Sequence, residues 1–172
     1  MPRTPLLTAQ FNVYVDGGMR LLGLAEVTMP NFEALSETLK GAGLMGELDI
    51  PAVGQFSAMT FTMNFRSLLD DPMKYAVSKA YHFDLRSAQS HEDNSTYERG
   101  EAKERYSIVG PIKKIDHGKR SPHAFWDASM DVAVRRVEHY MDGKLYLEFD
   151  PLNSVYKING VDIYAQVRAA IS

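Results

Sequence analysis

The sequence predicts a mainly β fold: a β-sandwich or split barrel with one short internal helix and a C-terminal helix. Three observations lead there. Apolar and polar residues alternate in several short runs, as half-buried strands require. Aspartate-glycine pairs able to take positive φ stand next to those runs. The chain has 172 residues, 45% apolar and 24% charged, which is the size and composition of one ordinary globular domain spanning 1–172.

The elements follow in order. Phe11, Val13 and Val15 alternate with Asn12, Tyr14 and Asp16, and Asp16-Gly17-Gly18 supplies a turn. A second run, Leu21 to Met29, stops at Pro30. Between Phe56 and Phe65 the alternation is cleanest. Met59, Phe61, Met63 and Phe65 fall on one face; Ala58, Thr60, Thr62 and Asn64 fall on the other. Asp71-Pro72 reads as the cap and first position of a short helix through about Ser78. Further strands are expected at Ala80 to Arg86, Arg105 to Ile115, Ala128 to Tyr140 and Lys144 to Asp150. Met141-Asp142-Gly143 turns the chain between the last two. Ile163, Tyr164, Val167, Ala170 and Ile171 recur at helical spacing, with Asp162 as the cap and Arg168 near the end.

Three segments resist this scheme. Asn31 to Gly54 holds four glycines and Pro51, yet also Leu35, Leu39, Leu44, Met45, Leu48 and Ile50. Two readings stand: a long loop whose apolar side chains need something to bury against, or a helix from Phe32 to Lys40 capped by Asn31 and stopped by Gly41. Ser87 to Arg105 is nearly all polar, with five acidic residues against three basic. Lys113 to His123 carries Lys113, Lys114, Lys119 and Arg120 against Asp116 alone. Both read as solvated hairpin tips, and their opposite signs suit a contact between neighbouring subunits.

The chemistry-bearing patterns do not hold up. There are no cysteines, which removes disulfides, thiolate metal sites and cysteine nucleophiles. With 19 basic and 22 acidic residues the net charge is −3, unlike a dedicated phosphate-backbone binder. No apolar stretch is long enough for a transmembrane helix or, at the N-terminus, for a signal peptide. A soluble protein without membrane anchoring is expected.

Gly41-Ala42-Gly43-Leu44-Met45-Gly46 matches G-x-G-x-x-G, but Pro51 leaves no room for the helix whose N-terminus would hold a pyrophosphate. Ser154-Val155-Tyr156-Lys157 matches S-x-x-K, a spacing that works on a helix, whereas Val155 and Tyr156 favour a strand. The five histidines form no H-E-x-x-H or i, i+4 pair. No catalytic residue, cofactor or metal is expected. Two rival classes remain at this level. One is a monomeric binding module for carbohydrate or protein, exposing Phe125 and Trp126. The other is a small hydrolase with converging His and Asp/Glu residues.

The two ends of the chain carry a family resemblance. Phe11-Asn12-Val13-Tyr14-Val15-Asp16-Gly17, then Gly23 and Val27-Thr28-Met29-Pro30, resembles the start of the major tail tube protein of contractile-tailed bacteriophages. Gly41 to Gly46 with Asp49 and Gly54 is similar to that family's extended loop. Phe149-Asp150-Pro151-Leu152-Asn153 and Lys157-Ile158-Asn159-Gly160-Val161-Asp162 resemble its closing strand and the turn into its C-terminal helix. About Lys79 to Asp127 has no such match. Related tubes occur in phage-tail-like bacteriocins and injection systems.

The resemblance implies a virion structural protein, not an enzyme, assembled in the host bacterial cytoplasm. Its subunits would form hexameric rings stacked as the tube inside a sheath. The implied partners are further copies of itself, the tail sheath protein, baseplate and terminator proteins, and DNA in transient, non-specific passage. It also implies that the segment at about 31–54 reaches a neighbour through Leu39, Gly41, Gly43, Leu44, Met45, Gly46, Leu48 and Ile50. A ring of six would carry a formal charge of −18, six times the −3 of each chain. Since cationic contacts would hold passing DNA, the lumen is expected to be acidic or neutral, with Ala58, Thr60, Thr62 and Asn64 as its lining.

Overall fold

The computed structural model describes residues 3–21, 24–41, 45–66 and 72–171. Its strands are β1 (Arg3–Val15), β2 (Met19–Arg20), β3 (Leu24–Thr28), β4 (Ala34–Leu39), β5 (Leu48–Phe56), β6 (Thr60–Phe65), β7 (Ala80–Asp93), β8 (Arg99–Asp116), β9 (Ala128–Ala133), β10 (Arg136–Met141), β11 (Lys144–Asp150), β12 (Val155–Ile158) and β13 (Val161–Asp162). One helix follows, α1 (Ala165–Ile171). All pairings are antiparallel. The larger sheet has the order β13-β12-β11-β10-β8-β7-β1-β2, and the smaller runs β3-β6-β9-β8. They form a sandwich-like arrangement and do not close into a barrel, so of the two architectures expected the sandwich is the one formed.

Strand β8 belongs to both sheets. Glu104 to Val109 pairs with β10, and Ile112 to Asp116 pairs with β9. The changeover falls at Gly110-Pro111. A Cβ at Gly110 would sit 2.0 Å from the Ala133 carbonyl oxygen, so glycine permits that close approach. The chain crosses between the sheets at the same level. Val134 N–H donates to the Met59 carbonyl and Arg135 N–H to the Val109 carbonyl. The single strand expected over Ala128 to Tyr140 is therefore two.

The core lies between the inner faces. Val13, Phe61, Met63, Phe83, Ile108, Met130 and Val132 are fully or almost fully buried. The β6 alternation read from the sequence is realised: Phe61, Met63 and Phe65 point inward, with Met59 buried just before them. Burying each such side chain contributes about 1.5–3 kcal/mol. Asp142-Gly143 closes β10 to β11 at φ 48° and 79°, and Asn159-Gly160 closes β12 to β13 at 50° and 82°. These are the paired positive values that suit a right-twisted two-residue turn.

Several elements differ from expectation. The short internal helix is a single 3-10 turn over Pro72–Tyr75, and its expected cap Asp71 lies outside the described residues. Ser87 to Arg105 is a hairpin, as expected, but its tip is confined to 94–98: β7 and β8 continue through the rest in unbroken register from Ala80↔Pro111 to Glu92↔Arg99. Strand β1 lengthens with them, Arg3 opposite Asp93. Together they form a three-stranded arm in which Ser87 and Gln89 donate to Glu104 across the strands. Asn31 to Gly54 is neither helix nor loop throughout. It holds β4 and most of β5, which among the described residues pair only with each other. Leu35 and Leu39 are spaced four apart, which suits one face of a helix and one face of a strand equally.

Candidate assembly surfaces

The β4–β5 hairpin is joined to the body at its base. Phe32, Phe56, Phe149 and Tyr156 pack edge to face with ring centroids 5.2–6.0 Å apart, a favoured geometry for aromatic pairs. Above this clasp the register jumps from Ala34↔Phe56 to Ser36↔Pro51, and Gly54 within the bulge has φ +71°. Beyond the bulge the hairpin is two-faced. Cross-strand partners share a face, which places Leu39 and Leu48 together with Ile50 and Glu37; Thr38 and Asp49 lie on the other side, joined by a 2.9 Å hydrogen bond. Leu39, Leu48 and Ile50 are each about half exposed, and Met45 at the tip is fully exposed. Gly41 and Gly46 flank the tip and are exposed; Gly43 and Leu44 lie outside the described residues.

The smaller sheet offers a second surface. Thr60, Thr62 and Asn64 stand side by side on its outer face, with Ala58 exposed just before them. Their cross-strand neighbours are Ala133, Asp131 and Ser129, and Thr62 donates a 2.7 Å hydrogen bond to Asp131. Glu26 pairs across from Asn64, and Lys114 and Asp116 lie opposite Asp131 and Ser129. The Lys113 ammonium donates to the Thr60 hydroxyl. Sequence reading assigned these two lysines to a solvated hairpin tip, because the register of β8 against β9 was needed to place them on this face. Among the described residues the sheet ends in an unpaired edge on both sides: β3 pairs only with β6, and Ile112 to Asp116 of β8 pairs only with β9.

The outer face of the larger sheet is charged and internally paired. The Asp84 carboxylate is 2% exposed and lies between Arg86, at 2.6 Å, and Arg105, at 2.5 Å. Burial pushes its carboxyl up, but the guanidinium bonds outweigh that and leave it below the usual range. Arg136 bonds Glu138 and Glu148, and Lys157 reaches Glu148 at 3.0 Å. On the inner side Glu104 accepts from Ser87 and Gln89 and lies 3.0 Å from His139 Nε2. Beside it Tyr106 is pushed up to about 12, by burial first and then by the Glu104 charge.

The sequence motifs find no chemical context. Gly41 and Gly46 flank a connection between antiparallel strands, not a strand-to-helix turn. Lys157 lies in strand β12, paired with Glu148, so Ser154 and Lys157 do not share a helical face. Among the described residues no three His, Asp or Glu side chains gather as a metal site, and no helix is long and apolar enough to cross a membrane. Trp126 donates its indole N–H to the His117 carbonyl and lies under Arg120. Of the two aromatics expected on a binding platform, only Phe125 is exposed.

Known proteins resemble this chain on two counts. The family described as phage tail tube protein FII matches residues 7–171. The tail tube protein of Escherichia phage P2 is 27% identical over 174 residues, covering 99% of this chain and 98% of that protein. The match runs through the central segment that carried no motif resemblance. The chain belongs to the phage tail tube protein FII family, a structural rather than an enzymatic family.

Proposed function

We propose that this chain forms the inner tube of a contractile tail, with subunits closed into hexameric rings, rings stacked along an axis, and DNA leaving through the bore. The observation that carries this reading is the smaller sheet of a tail tube family member, unpaired at both edges among the described residues. Unpaired edges are a liability on a monomer and a template for pairing between copies. Joining Leu24–Thr28 of one subunit to Ile112–Asp116 of the next repeats head to tail and closes a ring.

The face carrying Thr60, Thr62 and Asn64 then lines the bore. It holds three carboxylates, Glu26, Asp116 and Asp131, against Lys113 and Lys114. A slightly acidic wall of small polar groups gives phosphates little to bind. The hairpin is the stacking element, with Leu39, Gly41, Gly43, Leu44, Met45, Gly46, Leu48 and Ile50 at the contact between copies. The whole chain, 1–172, acts as one domain. It is assembled in the host cytoplasm into the virion, between baseplate and terminator and inside the sheath.

A reconstruction of assembled tubes tests this. The expected result is six-fold rings with Thr60, Thr62 and Asn64 facing the channel. Those residues in a protein–protein contact would remove the lumen assignment.

A further inference from the structure

Two arginines stand directly opposite each other on the outer face of the larger sheet. Arg86 of β7 pairs across the strands with Arg105 of β8, a placement in which like charges repel. One carboxylate, Asp84, lies beneath both. It accepts from Nε and Nη2 of Arg86 and from Nε of Arg105. The rings of Tyr14 and Tyr140 lie against the two guanidiniums, 4.7 and 5.5 Å away. Each fork is thus held by a buried partner while about half of its side chain is open to solvent. Asp84 offsets one of the two charges. It leaves Nη1 of Arg86 and both terminal nitrogens of Arg105 without a partner among the described residues.

Lys103 extends the cationic row two residues further along β8. It is exposed and has no ion pair among the described residues. Opposite it stands the small Ala88. The result is an open cleft of about 560 Å³ bordered by Arg86, Arg105, Lys103, Tyr140, Gln10 and Asn12. The acids nearby are already engaged. Glu104 backs the cleft, but its carboxylate is held by Ser87, Gln89 and His139 on the other face of the sheet. Glu138 is held by Arg136 and the Tyr140 hydroxyl, and Asp142 accepts from Lys103 N–H.

We propose that this cleft docks an acidic segment of a partner protein, whose carboxylates bond Arg86, Arg105 and Lys103. Guanidinium forks with free terminal nitrogens match planar carboxylates two bonds at a time. A site for free phosphate draws on converging backbone N–H groups, and here those of β7 and β8 are spent on each other. The cleft crosses β1, β7, β8 and β10, so an extended chain fits across it. The Gln10 and Asn12 carboxamides at its flank suit the backbone of such a chain. The cleft faces away from the smaller sheet and does not depend on the tube reading.

Isothermal titration of the purified chain with hexaglutamate and, separately, with inorganic phosphate tests this. Hexaglutamate is expected to bind, and phosphate to bind more weakly. Lys103→Gln touches no buried group and is expected to weaken hexaglutamate about threefold or more. Arg86→Lys keeps the charge but loses the fork, and is expected to do the same. Lys119→Gln removes an exposed cation elsewhere and is expected to leave the affinity unchanged. No binding of hexaglutamate would overturn the proposal, and so would equal weakening by Lys119→Gln. Phosphate binding as tightly as hexaglutamate would make this a site for a free anion and overturn it too. So would self-association that Lys103→Gln abolishes, since the occupant would then be a second copy. A chain that binds hexaglutamate in this way but never assembles would bring down the tube reading and leave the site standing.

Discussion

The Tyr164 ring lies so close to Gly54 that a Cβ there would sit 2.7 Å from Tyr164 Cδ2. Gly54 also has φ +71°, a region that costs an L side chain about 1–2 kcal/mol. The elbow of the hairpin is thus seated on the residue just ahead of α1. That residue is held in turn by Asp162, whose carboxylate accepts from Tyr164 N–H and pairs with Arg168.

Gly54→Ala is expected to destabilise the subunit by about 1–3 kcal/mol through strain at that φ and displacement of the ring. Chemical denaturation measures the loss. Tyr164→Ala removes the ring without the backbone strain, and is expected to lower stability less while shortening tubes grown at a fixed concentration.

Asp84 gives a pH dependence with a definite sign. Its folded pKa is depressed, so its contribution is present above the unfolded value of about 3.9 and is lost as pH falls through the lower folded value. Asp16, bonded by His82 N–H and Lys79, and Asp162, bonded by Arg168, shift the same way. Stability is expected to fall below about pH 4. Asp84→Asn is expected to cost about 1–3 kcal/mol at neutral pH and to flatten that acid limb. Denaturant midpoints across pH for both chains check it.

Tyr106 acts at the other end of the scale. Its folded pKa is raised to about 12 against an unfolded value of about 10. Its stabilisation is complete below about pH 10 and declines as pH rises from there toward 12. Phenolate absorbance titration of the wild type is expected to show a late-ionising tyrosine that Tyr106→Phe removes.

Strand β6 was legible because Met59, Phe61, Met63 and Phe65 sit at the period of a strand with one buried face. The Asp142-Gly143 turn was legible because its chemistry is local. The arm of β1, β7 and β8 was not, since Ser87, Gln89 and Glu104 satisfy one another across strands and leave no apolar alternation. The break between β9 and β10 was also hidden: Val134 and Arg135 look like strand and are set apart only by partners on different sheets. The aromatic clasp brings together Phe32, Phe56, Phe149 and Tyr156, which no local window spans.

The bore assignment carries its own prediction. Asn64→Lys adds a cation to the face proposed to line the channel. Tubes of this variant are expected to retain linear double-stranded DNA at low salt and release it as salt rises, where wild-type tubes retain little. A filter-retention assay over a salt series reads the difference. Equal retention by both would place Asn64 away from the channel.

Electron microscopy of the purified chain over a concentration series, with and without baseplates of the parent particle as seeds, reads self-assembly itself. Hollow tubes built of six-fold rings, lengthening with concentration, are expected, with Met45→Asp chains that stay folded but yield few or short tubes. A uniform monomer at every concentration, seeded or not, would contradict self-assembly.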